Sequence, residues 1–131
     1  MNNKNMTVII VDDDIDYLAQ LKLYTENMGF SVITAETQAE GEKLFENFKP
    51  DLAIFDLMID KHDSGFILSY KLKQKYPDVP IIILTAVTSE TGIQFGLDDE
   101  TAKNWIKADL YLEKAVRPDQ LHREINKLLN L

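Results

Sequence analysis

Cysteine is absent from the sequence, which excludes a disulfide framework and a thiolate metal centre and is compatible with a reducing compartment. Nor does any apolar run approach the roughly 18 residues of a membrane-spanning helix. Met1-Asn2-Asn3-Lys4-Asn5 has no apolar core behind it of the kind a secretory leader needs. A cytoplasmic location with no membrane attachment is therefore expected. Basic residues are in deficit, 14 against 22 acids, for a formal net charge of -8. Such a charge opposes contact with phosphate backbones, so direct nucleic-acid binding is not expected. Glycine and proline are sparse, at five and four, and no linker, repeat or low-complexity tract interrupts the chain. Residues 1–131 read as a single domain with a flexible N-terminus over residues 1–6. A chain of this length buries roughly two-thirds of the surface it would expose unfolded.

Apolar segments of strand length are what the sequence does contain. Thr7-Val8-Ile9-Ile10-Val11, Leu52-Ala53-Ile54-Phe55 and Ile81-Ile82-Ile83-Leu84 lack helical gaps, as strands buried on both faces of a parallel sheet do. Ser31 to Ala35 and Asp109 to Leu112 give shorter strands. Helical spacing separates them. Ile15, Leu18, Leu21, Leu23, Tyr24 and Met28 form one stripe ended by Gly29. Thr37 with Glu40 makes a capping box for a second helix. Ser64-Gly65 opens a third, with Phe66, Ile67, Tyr70 and Leu72 as its apolar positions, and Asp98 to Ile106 reads as a fourth. Pro118 stands at the first turn of a last helix carrying Leu121, Ile125, Leu128 and Leu129. The alternation predicts an α/β fold: a doubly wound, five-stranded parallel sheet with right-handed crossovers and helices on both faces.

In that fold the strand ends that bind ligands all lie on one edge. Asp12 and Asp13 follow the first strand, Asp56 ends the third, Thr85 ends the fourth, and Lys114 follows the fifth. Converging carboxylates repel one another unless a cation neutralises them. An all-oxygen set suits a hard ion, Mg2+ or Mn2+. A carboxylate nucleophile, a divalent cation, an ammonium and a hydroxyl together form an apparatus for moving a phosphoryl group onto a carboxylate. Read one at a time, these residues have plainer roles: helix capping for Asp12 to Asp14, strand formation for Thr85 and Tyr111, solvation for Lys114. His62 and His122 have no second ligand at useful spacing and read as surface residues, and Trp105 reads as packing.

Val11-Asp12-Asp13, Asp56, Leu84-Thr85-Ala86, Tyr111 and Lys114, in this order and on these elements, resemble the receiver domain of two-component response regulators in its stand-alone, flavodoxin-like form. The resemblance implies that Asp56 accepts a phosphoryl group from a phosphohistidine on a histidine kinase or phosphotransfer protein. It implies a metal held by Asp12, Asp13, Asp56 and the backbone carbonyl of Met58. Lys114 and Thr85 would take phosphoryl oxygens, and movement of Thr85 would let Tyr111 turn inward. The surface of the fourth helix, fifth strand and last helix would then change for a downstream protein, and the same face allows a homodimer. Such a chain catalyses only its own phosphoryl transfer and dephosphorylation. The family pattern is not matched everywhere. Asp60 stands where a proline is usual, Gly65 comes one residue late, and the stretch from Ala86 to Leu97 is longer by roughly seven residues. Lys114 is followed by Ala115 rather than proline, for which a trans bond is expected. The competing readings are a pseudo-receiver that binds partners without phosphorylation and a small α/β phosphoryl hydrolase. The hydrolase reading lacks an acid at Met58 and a glycine-rich phosphate loop.

Overall fold

The computed structural model describes residues 6–59, 64–85 and 108–131. Its elements run β1 (Thr7–Val11), α1 (Ile15–Asn27), β2 (Ser31–Ala35), α2 (Gln38–Asn47), β3 (Leu52–Asp56), α3 (Ser64–Lys75), β4 (Ile81–Thr85), β5 (Leu110–Glu113) and α4 (Pro118–Leu129). The helix expected over 98–106, the long stretch from Ala86 to Leu97, Asp60, His62 and Trp105 lie outside the described residues. So does the expected flexible N-terminus except for Met6, whose carbonyl accepts the Ser31 N–H at 3.0 Å.

All strand pairings are parallel and the order is β2-β1-β3-β4-β5, a flavodoxin-like α/β sheet. Successive strand side chains point to opposite faces, and this divides the apolar runs between two cores. Ile9, Val11, Ala53, Phe55, Ile81 and Ile83 meet Phe45 of α2 and Leu68 and Leu72 of α3. Val8, Ile10, Leu52, Ile54, Ile82 and Leu84 meet Leu18 and Leu21 of α1 and Leu121 and Ile125 of α4. An unbroken apolar run is thus what a strand covered on both sides requires.

Each described helix begins where its sequence signal stands. Asp14 caps α1 by accepting the Tyr17 N–H at 3.2 Å. Thr37 caps α2, its Oγ1 accepting the Glu40 N–H at 3.1 Å. The returning Glu40 carboxylate takes the Glu36 N–H at 3.4 Å, one residue earlier than the usual capping box. Thr37→Ala is expected to cost about 1 kcal/mol, read from the denaturant midpoint at unchanged slope. Gly29, past the end of α1, adopts φ 100, a conformation that favours glycine.

At the amino-terminal edge of the sheet two aspartates do the same job. Asp51 Oδ2 accepts the Thr7 N–H at 2.7 Å while the Asp51 N–H donates to the Thr7 carbonyl at 2.8 Å. Asp109 Oδ2 accepts the Ile81 N–H at 2.8 Å and the Lys73 ammonium at 2.8 Å, and its own N–H reaches the Ile81 carbonyl. Asp109 is therefore spent in closing the amino-terminal start of β4, and β5 begins one residue after the sequence-based start. Helix faces also differ from expectation. Ile15 is 64% exposed, Leu23 56% and Tyr70 38%, whereas Thr25, Leu68 and Ser69 are buried. Small and hydroxylic residues can turn inward because Thr25 Oγ1 and Ser69 Oγ donate to the carbonyls of Leu21 and Gly65, both at 2.8 Å.

Candidate functional site

The strand order reverses direction between β1 and β3, and in open α/β sheets ligands bind outside the carboxyl ends of strands at such a switch point. The register pairs Val11 with Phe55, so the next residues, Asp12 and Asp56, leave the two strands side by side. Asp12 is 1% exposed and Asp56 7%, while Asp13 is exposed. Of the three consecutive acids, Asp14 is the helix cap. Its N–H also donates to Asp12 Oδ1 at 2.9 Å, which orients that carboxylate.

Carboxylate oxygens of Asp12, Asp13 and Asp56 all lie within 4.8 Å of one another. Against them sits Lys114, its Nζ 2.9 Å from Asp12 Oδ2 and 3.3 Å from Asp56 Oδ2. The Lys114 N–H donates to the Thr85 carbonyl at 2.9 Å, tying the loop after β5 to the end of β4. No described peptide bond is cis. Lys114–Ala115 is therefore trans, as expected, and the ammonium reaches both carboxylates with alanine in the place of a proline.

Charge is poorly tolerated here in one direction. Burial first, and then the Asp12 carboxylate, push the Asp56 acid up to about 6 from an ordinary value of 3.8, against the opposing pull of Lys114. Burial also weighs most on Lys114. The hydrogen bond and charge of Asp12, joined by Asp56, outweigh it and raise the ammonium above an ordinary lysine. A site in which the Asp56 carboxyl disfavours its own ionisation, with only oxygen donors in the acidic group, fits a hard divalent cation.

Thr85, 7% exposed, closes β4 and pairs across to Glu113. Met58, two residues past Asp56, has a side chain 42% exposed. Tyr111 stands opposite Ile83 in the register and is half-buried against the core on the α2–α3 side. Burial pushes its phenol up to about 12. It lines a cleft of about 400 Å3 with Leu112, Glu113, Val116, Arg117 and Gln120 among others. His122 is half-buried on α4 and stands in no group of potential metal ligands among the described residues.

One neighbour was not legible in the sequence. Tyr17 of α1 places its ring centroid 4.9 Å from Lys114 Nζ and donates its hydroxyl to the Lys114 carbonyl at 2.9 Å. Burial, the dominant influence, pushes its phenol up to about 12. Its position three residues after Asp14 marks it as a residue of the first helical turns, and nothing local points to a partner so distant along the chain.

Comparison with known proteins agrees with this geometry. Over 129 residues the chain is 35% identical to the transcriptional regulatory protein GlrR of Escherichia coli K12, covering 98% of this chain and 27% of that protein. It is 31% identical over 125 residues to the alkaline phosphatase synthesis transcriptional regulatory protein PhoP of Bacillus subtilis, covering 95% and 49%. The chain thus spans half or less of the length of these relatives. Among solved structures, a CheY-like response regulator receiver domain protein from Methanospirillum hungatei superposes with a TM-score of 0.81 at 29% identity, covering 95% and 94% of the two chains. The response regulator TrrA of Thermotoga maritima, solved in complex with Mg2+ and BeF, gives 0.79 at 27% identity, covering 95% and 99%. The family model for the response regulator receiver domain matches residues 8–126. With that match reaching from β1 into α4, the chain belongs to the response regulator receiver domain family.

Proposed function

We propose that the chain, as one receiver domain over residues 1–131, is a phosphorylation-switched component of a two-component system whose phosphoacceptor is Asp56. The observation that carries this reading is the meeting at one edge of the sheet of a buried carboxylate, a second and third carboxylate within 4.8 Å, and an ammonium 3.3 Å away. A carboxylate oxygen of Asp56 attacks the phosphorus of a phosphohistidine, presented by a histidine kinase or phosphotransfer protein. The P–N bond breaks as the O–P bond forms, and the imidazole leaves with its electron pair. Asp12, Asp13, Asp56 and the backbone carbonyl of Met58 are the groups that would hold Mg2+ or Mn2+. When bound, the cation supplies the positive charge that lets a phosphoryl group approach three acids.

Lys114 exchanges its contact with Asp56 Oδ2 for a phosphoryl oxygen, and the Thr85 hydroxyl donates to another. Because Lys114 N–H and Thr85 carbonyl are already bonded, movement at either is felt by the other. Tyr111, two residues before the strand's end, turns with that movement and alters the face around β5 and α4. A downstream protein, or a second copy of the chain, reads the altered face. No external substrate is turned over, and neither nucleic acid nor membrane is contacted by the domain itself; a cytoplasmic setting supplies both phosphodonor and target. The Mg2+–BeF complex of TrrA supports the metal and phosphoryl parts of the reading by likeness.

Intact mass after incubation with acetyl phosphate and Mg2+ tests the proposal. The wild type is expected to gain one phosphoryl group and Asp56→Asn none. A wild type of unaltered mass would leave a domain that binds partners without phosphorylation.

A further inference from the structure

Lys114 is held at both its backbone polar groups and at its ammonium. Its N–H is bonded to β4 through the Thr85 carbonyl at 2.9 Å, and its own carbonyl accepts the Tyr17 hydroxyl of α1 at 2.9 Å. Its ammonium pairs with Asp12 and Asp56 and also lies over the Tyr17 ring, 4.9 Å from the centroid. A lysine side chain is otherwise a strongly hydrated charge on a flexible stem. An aromatic face displaces water from one side of the ammonium while stabilising its charge, so its donors are left to the carboxylates. The segment that follows, Ala115-Val116-Arg117, has no proline of its own to limit it before Pro118. The Val116 N–H closes a local turn on the Glu113 carbonyl at 3.0 Å, and the hydroxyl contact from α1 adds a restraint from outside the segment.

We propose that Tyr17 is a positioning residue for Lys114, fixing backbone and ammonium so that the lysine meets the group on Asp56 in one orientation; this rests on the receiver reading of Lys114 given above. Tyr17 touches no reacting atom. Its two contacts are separable, because phenylalanine retains the ring and removes the hydroxyl whereas leucine removes both.

The test uses the whole chain as wild type, Tyr17→Phe and Tyr17→Leu, with thermal unfolding recorded for each. In the first arm, acetylation of Lys114 by an amine-reactive ester is followed by peptide mass against Lys127, whose side chain is 77% exposed. Acetylation of Lys114 is expected to speed up in the order wild type, Phe, Leu, with Lys127 unaltered. A wild-type rate at Lys114 in Tyr17→Leu overturns the inference. In the second arm, the rate of phosphorylation by acetyl phosphate is expected to fall about threefold in Tyr17→Phe and about tenfold in Tyr17→Leu. In a Lys114→Met background Tyr17→Leu is expected to change the residual rate no further. An equal loss in both backgrounds would show that Tyr17 acts on the fold at large and would overturn the inference. If Tyr17→Leu does not fold, the Phe variant carries both arms. A wild type that takes no phosphoryl group defeats the receiver reading instead, and the acetylation order still decides whether Tyr17 places Lys114.

Discussion

Gly65→Ala is expected to destabilise the domain by about 3 kcal/mol or more, read from denaturant unfolding, and to displace Asp56 from Lys114 in whatever fraction remains folded. A Cβ at this position would stand 2.3 Å from the Asp56 carbonyl oxygen, 2.8 Å from Leu57 Cα and 2.9 Å from the Leu57 carbonyl oxygen. All three are backbone atoms, so no rotamer change relieves the overlap. Either α3 retreats, loosening the fully buried Leu68 and Leu72, or the end of β3 moves and takes the carboxylate with it. The Gly65 N–H also donates to the Leu57 carbonyl at 3.1 Å, a bond that retreat would break. Gly41→Ala is the control. Its nearest neighbours are side-chain atoms, Val11 Cγ2 at 3.0 Å and Leu68 Cδ2 at 3.3 Å. These can give way, and alanine returns about 0.5 to 1 kcal/mol of helix propensity in compensation. A loss at Gly65 no greater than at Gly41 would refute the close-approach account.

Metal-free stability is expected to fall as pH rises from about 4 to about 6, and Asp56→Asn is expected to remove that decline. The folded protein holds the Asp56 proton up to about pH 6, whereas an unfolded chain releases it near the ordinary value of 3.8. Between these limits the folded state binds more protons than the unfolded one, so raising the pH favours unfolding. Below the window both states are protonated, above it both are ionised, and the difference is constant. Undiscounted, the difference corresponds to about 3 kcal/mol; the site opens at the sheet edge, and solvent screening reduces this to about 1–2 kcal/mol. Asp56→Asn should therefore match the wild type near pH 4 and exceed it by that amount at pH 7.5. Lys114 does not confuse the measurement, because its raised value keeps it charged throughout and its contribution is lost only in strong alkali. Added Mg2+ should erase the wild-type deficit at pH 7.5, since a cation among the acids favours the ionised carboxylate. A wild type and Asp56→Asn that run parallel from pH 4 to 7.5 would contradict the strained carboxylate.

The strands and the sheet edge were legible because their cause is local. Ile81 to Leu84 is apolar without a break, both faces of β4 are covered, and no helix of that length would be so uniformly buried. Asp12, Asp13, Asp56, Thr85 and Lys114 were placeable together because a parallel sheet puts every strand's carboxyl end on one side. Side-chain facing was less legible. Tyr70 and Leu23 are apolar by type yet exposed, and Thr25 and Ser69 turn inward because a hydroxyl can satisfy itself on the preceding helical turn. Asp109 reads as a strand residue until Ile81 and Lys73 are seen to use it. Tyr17 depends on a contact between α1 and the loop after β5, for which no spacing rule exists. Asp14 was legible as an acid but not as the one of three whose carboxylate caps α1.

The pin formed by Asp51 and Thr7 has a consequence at the opposite edge. From Thr7 to Asp12 and from Asp51 to Asp56 the chain advances by the same number of residues, in register throughout. The two strands act as matched rulers zeroed at one end, and the height of Asp56 relative to Asp12 is a difference of two lengths. Inserting one residue in either strand lifts one carboxylate by about 3.3 Å and turns it to the other face. Point substitutions in β1 and β3 that keep volume leave the rulers intact, whereas a single-codon insertion or deletion spoils the alignment even if every residue type at the site is kept.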